Sequence, residues 1–179
     1  IGDSVTMICE SAFSHCKSLE SITIPDSVTT IGEEAFYSCS SLTSVAIPDS
    51  VTTIGDWAFS YCNSLTSVTI GDGVTTIGSY AFRECTNLTS VTFGDSVTTI
   101  GDNAFYDCNS LASITVDNNN PYYSSDEYGV LFNKDKTTLI QYPRGNTRIS
   151  YTIPNSVTTI SDDAFRESKS LTSVTIPDS

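Results

Sequence analysis

Residues 42–65 read LTSVAIPDSVTTIGDWAFSYCNSL, and the reading of this stretch decides the architecture. Its apolar positions are Leu42, Val45, Ile47, Val51, Ile54, Ala58, Phe59 and Cys62. The same phases return along the chain. Ala12, Ala35, Ala58, Ala81 and Ala104 follow one another at 23 residues, each with Phe next, Cys three residues on and Leu three beyond. A sixth copy, Ala164-Phe165, comes 60 residues after the fifth, so one irregular stretch interrupts the array. Self-similarity at such a period specifies stacked supersecondary units, each unable to bury its apolar face alone.

Within one unit, Val45 and Ile47 alternate with Ser44 and Ala46, the period of a half-buried strand. Pro48-Asp49-Ser50 turns the chain, and Val51 to Ile54 forms a second short extended leg rich in β-branched residues. Asp56 is a suitable N-cap, and Ala58, Phe59 and Cys62 fall on one helical face, which predicts a short helix over 57–61. Strands stack about 4.8 Å apart and helices about 8–10 Å apart. That mismatch predicts a bent stack with a concave parallel sheet and convex helices.

The pattern LxxVxIPxSVTTIGxxAFxxC, carried by residues 1–116 and 151–179, resembles the BspA-like class of leucine-rich repeats. The interrupting segment VDNNNPYYSSDEYGVLFNKDKTTLIQYP also resembles an irregular rung recurrent in that family. The resemblance implies an α/β repeat solenoid, a leucine-rich-repeat right-handed superhelix. It further implies an extracellular or cell-surface adhesion or binding protein, as in surface proteins of host-associated bacteria and of a protozoan parasite. The expected organisation is a single array over 1–179, with 117–150 as an inserted unit. Within that unit, 129–132 and 138–142 flank a polar loop and read as a β-hairpin. Ile1 and Ser179 both fall inside the repeat phase, so the chain reads as a piece of a longer array.

The net charge of −13 and a pI near 4.1 oppose binding to nucleic acid or to an anionic membrane surface. No apolar run is long enough to span a bilayer, and no signal peptide is present. The single histidine, His15, lies at a phase occupied by other polar or aromatic residues, with no orienting partner in the repeat. No nucleophile–base constellation emerges, so no enzyme, cofactor or metal site is expected.

Four periodic features remain. Cys16, Cys39, Cys62, Cys85 and Cys108 form a ladder, with Cys9 at a phase otherwise held by Gly or Ser. At helix spacing they are too far apart for disulfides, and all five are expected as buried free thiols. Asp26, Asp49, Asp72, Asp95 and Asp178 form an acidic edge that fits either local turns or a cation site. The strand face repeats Thr23, Ala46, Thr69, Thr92, Thr115, Thr152 and Thr175, a monotonous scaffold short of anchoring side chains. The opposite face varies: Trp57 and Tyr80 share a phase, and Tyr37, Tyr61 and Tyr106 lie beside them. These aromatics either pack sideways or form a binding patch.

The candidate partner-binding residues are therefore Trp57, Tyr80 and Tyr61, together with Lys134, Lys136, Arg144 and Arg148 of the inserted unit, which break the monotony of the repeat. The expected partner is a protein or glycan on a host or neighbouring cell surface. The competing reading is a structural spacer that holds another domain away from the cell.

Overall fold

The computed structural model describes residues 1–177, and it forms a solenoid of about seven turns built from parallel sheets. The strands are β1 (Met7–Ile8), β2 (Thr30–Ile31), β3 (Ser44–Ile47), β4 (Thr53–Ile54), β5 (Ser67–Ile70), β6 (Thr76–Ile77), β7 (Ser90–Phe93) and β8 (Thr99–Ile100). They continue with β9 (Ser113–Val116), β10 (Tyr123–Ser125), β11 (Leu131–Asn133), β12 (Thr138–Gln141), β13 (Ser150–Thr152), β14 (Thr159–Ile160) and β15 (Ser173–Thr175). The longer legs pair as β3-β5-β7-β9 and the shorter legs as β1-β2-β4-β6-β8. Register follows the repeat: Val45 faces Val68, Val68 faces Val91, and Val91 faces Ile114.

Alternation along the longer legs is as the sequence requires. Val45, Ile47, Val68 and Ile70 are buried, while Ala46, Thr69, Thr92 and Thr115 face solvent. The apolar phases of each unit meet in one continuous core from Ile8 to Leu131. Phe13, Phe36, Phe59, Phe82 and Phe105 form a stacked ladder through it, with centroid spacings of 5.1, 5.0, 5.4 and 5.7 Å.

The expected convex helices do not form among the described residues. The segment from Asp56 to Tyr61 is instead a run of tight turns. Trp57 and Tyr61 sit in the left-handed region at φ 57° and 61°, and the same two phases repeat this in Glu34 and Ser38, Tyr80 and Glu84, and Asn103 and Asp107. Left-handed turns aim alternate N–H groups along the stack. Trp57, Phe59 and Tyr61 donate to the carbonyls of Ser79, Ala81 and Arg83 in the next rung, at 2.9, 2.7 and 2.7 Å. A five-residue helix would leave most of its backbone groups unpaired, whereas these turns pair rung to rung like a sheet. Asp56 is accordingly no helix cap; its Oδ1 accepts from Ser79 N–H at 2.7 Å. The turn side therefore repeats near 5 Å, and the spacing mismatch expected to bend the stack is absent from the Phe ladder.

Close stacking explains the glycine that precedes each turn. A Cβ on Gly55 would lie 2.6 Å from the backbone of Gly32 and Glu33 in the preceding rung. Ser161 takes this phase in the rung that follows the inserted hairpin.

The inserted segment breaks the pattern. The expected hairpin forms between β11 and β12, and β10 adds a third antiparallel strand. β12 then pairs in parallel with β14, so the hairpin supplies a rung of its own. Tyr142 takes the Phe phase there, stacked 5.3 Å from Phe165. β11 divides the interior: Leu131 joins the first core, while Val130 and Phe132 join a second with Leu139, Tyr142, Tyr151, Ile153, Val157 and Ala164. Buried Asn120 anchors the segment, donating to Gly94 and Val97 carbonyls and accepting from Tyr122 and Tyr123 N–H.

Two stability measurements check this arrangement. Phe59→Ala is expected to cost about 3–5 kcal/mol, and Thr69→Ala under about 0.5 kcal/mol; equal effects in a denaturant melt would mean the faces are reversed. Glu34→Gly distinguishes turn from helix by sign. At positive φ, glycine relieves a cost of about 1 kcal/mol and should leave stability unchanged or raised, whereas in a helix it would lower stability by about 1 kcal/mol.

Candidate binding surface

Left-handed turns throw their side chains outward, and this places the aromatic candidates together. Trp57 and Tyr80 stack at 4.4 Å between centroids, 19° from parallel. Tyr37 meets Tyr61 edge-on at 5.4 Å, and Tyr80 meets Tyr106 edge-on at 6.4 Å. Arg83 lies among them, its guanidinium carbon 5.3 Å from the Trp57 ring, 5.4 Å from Tyr61, 5.8 Å from Tyr80 and 5.5 Å from Tyr106. A guanidinium at such distances is held by the ring quadrupoles. All five rings and Arg83 are half-buried, so they pack sideways and still present one edge to solvent. The sequence reading had no periodic signal for Arg83, because its phase holds Ser60 and Tyr106 in the adjoining rungs.

The basic residues of the inserted unit do not form one patch. Lys134 Nζ donates to the Asn118 carbonyl at 2.9 Å, and Lys136 lies 5.7 Å over Phe132. Arg148 covers Tyr128 at 3.7 Å. Arg144 is buried, ion-paired to Asp107 and 4.9 Å from the Tyr106 ring. Of the four, only Arg144 adjoins the aromatic face, and it does so from inside the fold.

Beside that face the solenoid opens. Between the fifth rung and the hairpin rung lies a cleft of about 690 Å³, within the size range of ligand sites. Tyr80, Ile100, Phe105, Ile140, Tyr142 and Ser161 are among the residues that line it. β8 and β12 do not pair across it.

The acidic edge makes one bond along the stack and one local bond. Asp49 Oδ1 accepts from Asp72 N–H in the next rung at 2.9 Å, and Asp95 accepts from Ser96. Asp178 lies outside the described residues. Among the described residues no three His, Cys, Asp or Glu side chains are placed to share a metal ion, and no helix is long and apolar enough to cross a membrane.

The cysteine ladder is free of disulfides, but for a different reason than helix spacing. At a 5 Å repeat, neighbouring cysteines fall within the separation a disulfide accepts. Instead, each buried thiol donates to a Phe carbonyl of the preceding rung: Cys39 to Phe13, Cys62 to Phe36, Cys85 to Phe59 and Cys108 to Phe82, at 3.0 to 3.3 Å. Cys16 is exposed together with Cys9, which corrects the expectation that all five ladder cysteines are buried. Burial pushes Cys39 up to about 11 and Cys108 to about 12, and raises Cys62 and Cys85 as well.

A chain that repeats every 23 residues, stacks its legs in parallel register and buries the LxxVxI phases is a leucine-rich-repeat solenoid. Its sequence matches the family described as BspA type leucine rich repeat region, in six copies over residues 6–128 and 145–179, and the chain belongs to that family. The comparison with curated proteins finds no match. Among solved structures, a leucine-rich repeat protein from Eubacterium ventriosum is 31% identical, with a TM-score of 0.71 over 88% of this chain and 47% of that one. A leucine rich cell surface protein from Faecalibacterium prausnitzii is 30% identical, with a TM-score of 0.66 over 97% and 59%. The pneumococcal vaccine antigen PcpA, 24% identical, shares the fold at a TM-score of 0.81 over 98% and 49%. The chain thus spans about half the length of these solved relatives.

Thiol chemistry tests the ladder. In the native chain Cys9 and Cys16 should react, and the other four only after denaturation. A thiol raised above its ordinary value near 9 stays protonated in the fold while the unfolded chain ionises. Stability should therefore be flat in this respect below pH 9 and fall as pH rises through 9 towards 11. Cys62→Ala should flatten that fall; an unchanged slope would show that the thiols are not its source.

Proposed function

We propose that this chain is a binding module of a bacterial cell-surface or secreted protein, and that it contacts a protein or glycan through the Trp57, Tyr80, Tyr61 and Arg83 face. The observation that carries the reading is the placement of Trp57, Tyr61 and Tyr80 at left-handed backbone positions, φ 56° to 61°. Bulky aromatic residues at such positions are costly to the fold. Here they converge on one guanidinium and keep an exposed edge. Aromatic and Arg side chains are the usual anchors of recognition, because they bury large area with few rotatable bonds. The surface location is supported by membership of the BspA-type family and by the Faecalibacterium relative described as a cell surface protein. No catalytic family is indicated, and leucine-rich-repeat families commonly bind proteins.

The spacer reading draws on one observation of its own: the strand face presents Thr69, Thr92 and Thr115 in identical register, which gives no partner a preferred position. Lys134, Lys136 and Arg148 form a separate candidate set at the hairpin. Arg144 is set apart from them, because removing it would leave Asp107 without its buried partner.

Capture from an extracellular-matrix or host-surface preparation tests the module. The double variant Trp57→Ala, Tyr80→Ala should lose capture by about tenfold or more while folding cooperatively. The triple variant Lys134→Ser, Lys136→Ser, Arg148→Ser reads the hairpin set. If the unmodified chain captures nothing in any such preparation, the spacer reading stands in its place.

A further inference from the structure

We propose that the cleft between the fifth rung and the hairpin rung is a docking site for an extended peptide segment that carries a basic side chain. This rests on the binding-module reading and deepens it by assigning the partner's chemistry to a second place on the molecule.

The turn ladder defines what the cleft lacks. Glu34, Phe36 and Ser38 donate their N–H groups to carbonyls of the next rung's turn, at Asp56, Ala58 and Ser60. Trp57, Phe59 and Tyr61 do the same one rung on, and then Tyr80, Phe82 and Glu84 donate to Asp102, Ala104 and Tyr106. The next donors in the series are Asn103, Phe105 and Asp107. Among the described residues no backbone carbonyl accepts from them. Asn103 and Phe105 line the cleft itself. The sheet of shorter legs also ends here, at β8, whose Ile100 N–H is met only by the Tyr123 hydroxyl at 3.1 Å. A row of donors at every second residue matches an extended backbone, which offers carbonyls to one side at that same interval. A glycan has no such repeat.

The lining fits a peptide in other respects. Ile31, Ile54 and Ile77 are fully buried at their phase, but Ile100 and Ile140 are only partly covered and give the cleft an apolar floor. Ser161, which stands at the glycine phase of its rung, also lines the cleft. The charges favour a cation. Arg144 is committed to Asp107, and Arg166 lies 3.5 Å from Asp163. Asp102 and Asp162 line the cleft with exposed carboxylates and no paired cation among the described residues.

Fluorescence anisotropy with two labelled pools of short synthetic peptides tests the site on the unmodified chain. Both pools have Thr, Val and Ala backgrounds, and they differ in a central Lys or a central Glu. The Lys pool should bind and the Glu pool should bind about tenfold more weakly or not at all. Replacing alternate amides by esters, whose carbonyls accept poorly, should weaken binding in one phase and spare the other. Ser161→Phe fills the cleft and should abolish binding. Asp102→Asn with Asp162→Asn, both at exposed positions, should erase the preference for Lys while the melting curve stays unchanged. No binding by either pool at millimolar peptide overturns the proposal, as does binding that survives both variants, or a glycan that competes where no peptide does. Capture that depends on Trp57 and Tyr80 but is indifferent to the cleft variants would leave the binding module intact and remove only this site.

Discussion

Rung-to-rung backbone hydrogen bonding on the turn side is the constraint from which the rest of the molecule follows. Once Trp57, Phe59 and Tyr61 donate to Ser79, Ala81 and Arg83, the turns must repeat at the spacing of the strands. The Phe rings then stack face to face at 5.0–5.7 Å, and Gly55 has backbone where a Cβ would stand. The thiols reach the carbonyls of the rung before. Left-handed residues are the cost of this arrangement, and ladder bonds on both sides of each rung offset it.

The inserted unit shows what happens where the constraint lapses. The hairpin contributes a rung through β12 and Tyr142 that pairs with the rung after it. To the fifth rung it is tied instead by Gln141 Nε2 donating to the Phe105 carbonyl, Gly145 N–H donating to the Leu111 carbonyl and the Arg144–Asp107 pair. Towards the fifth rung the ladder stops, the core divides at β11, and a cleft opens beside the aromatic face. Irregularity and opportunity for recognition thus coincide: the regular rungs satisfy their own backbone, and the broken one leaves donors and carboxylates over. The aromatic face arises differently, by spending strained turn positions on Trp57, Tyr61 and Tyr80.

Much of this was legible in the sequence. The apolar phases of Val45, Ile47, Ala58, Phe59 and Cys62 placed the core, and the shared phase of Trp57 and Tyr80 placed their stack. The turn geometry was not legible from apolar spacing, because Ala58, Phe59 and Cys62 mark one face of a helix and the inside of a turn run equally well. A signal did exist in the polar residues. Ser11, Asn103 and Asp163 at one phase, and Ser38 and Asp107 at the other, include types that tolerate the left-handed region. Arg83 and Asn120 carry no periodic signature, and the cleft depends on how far the hairpin stands from the fifth rung, which no residue pattern encodes. The free thiols were expected on a spacing that the fold does not have.

Amide hydrogen exchange resolved by residue reads the ladder most directly. Pairing between rungs predicts strong protection at Trp57, Phe59 and Tyr61, approaching that of global unfolding, and fast exchange at Asn103 and Phe105, where the ladder ends. Comparable protection at both sets, or fast exchange at Phe59 and Tyr61, would contradict it.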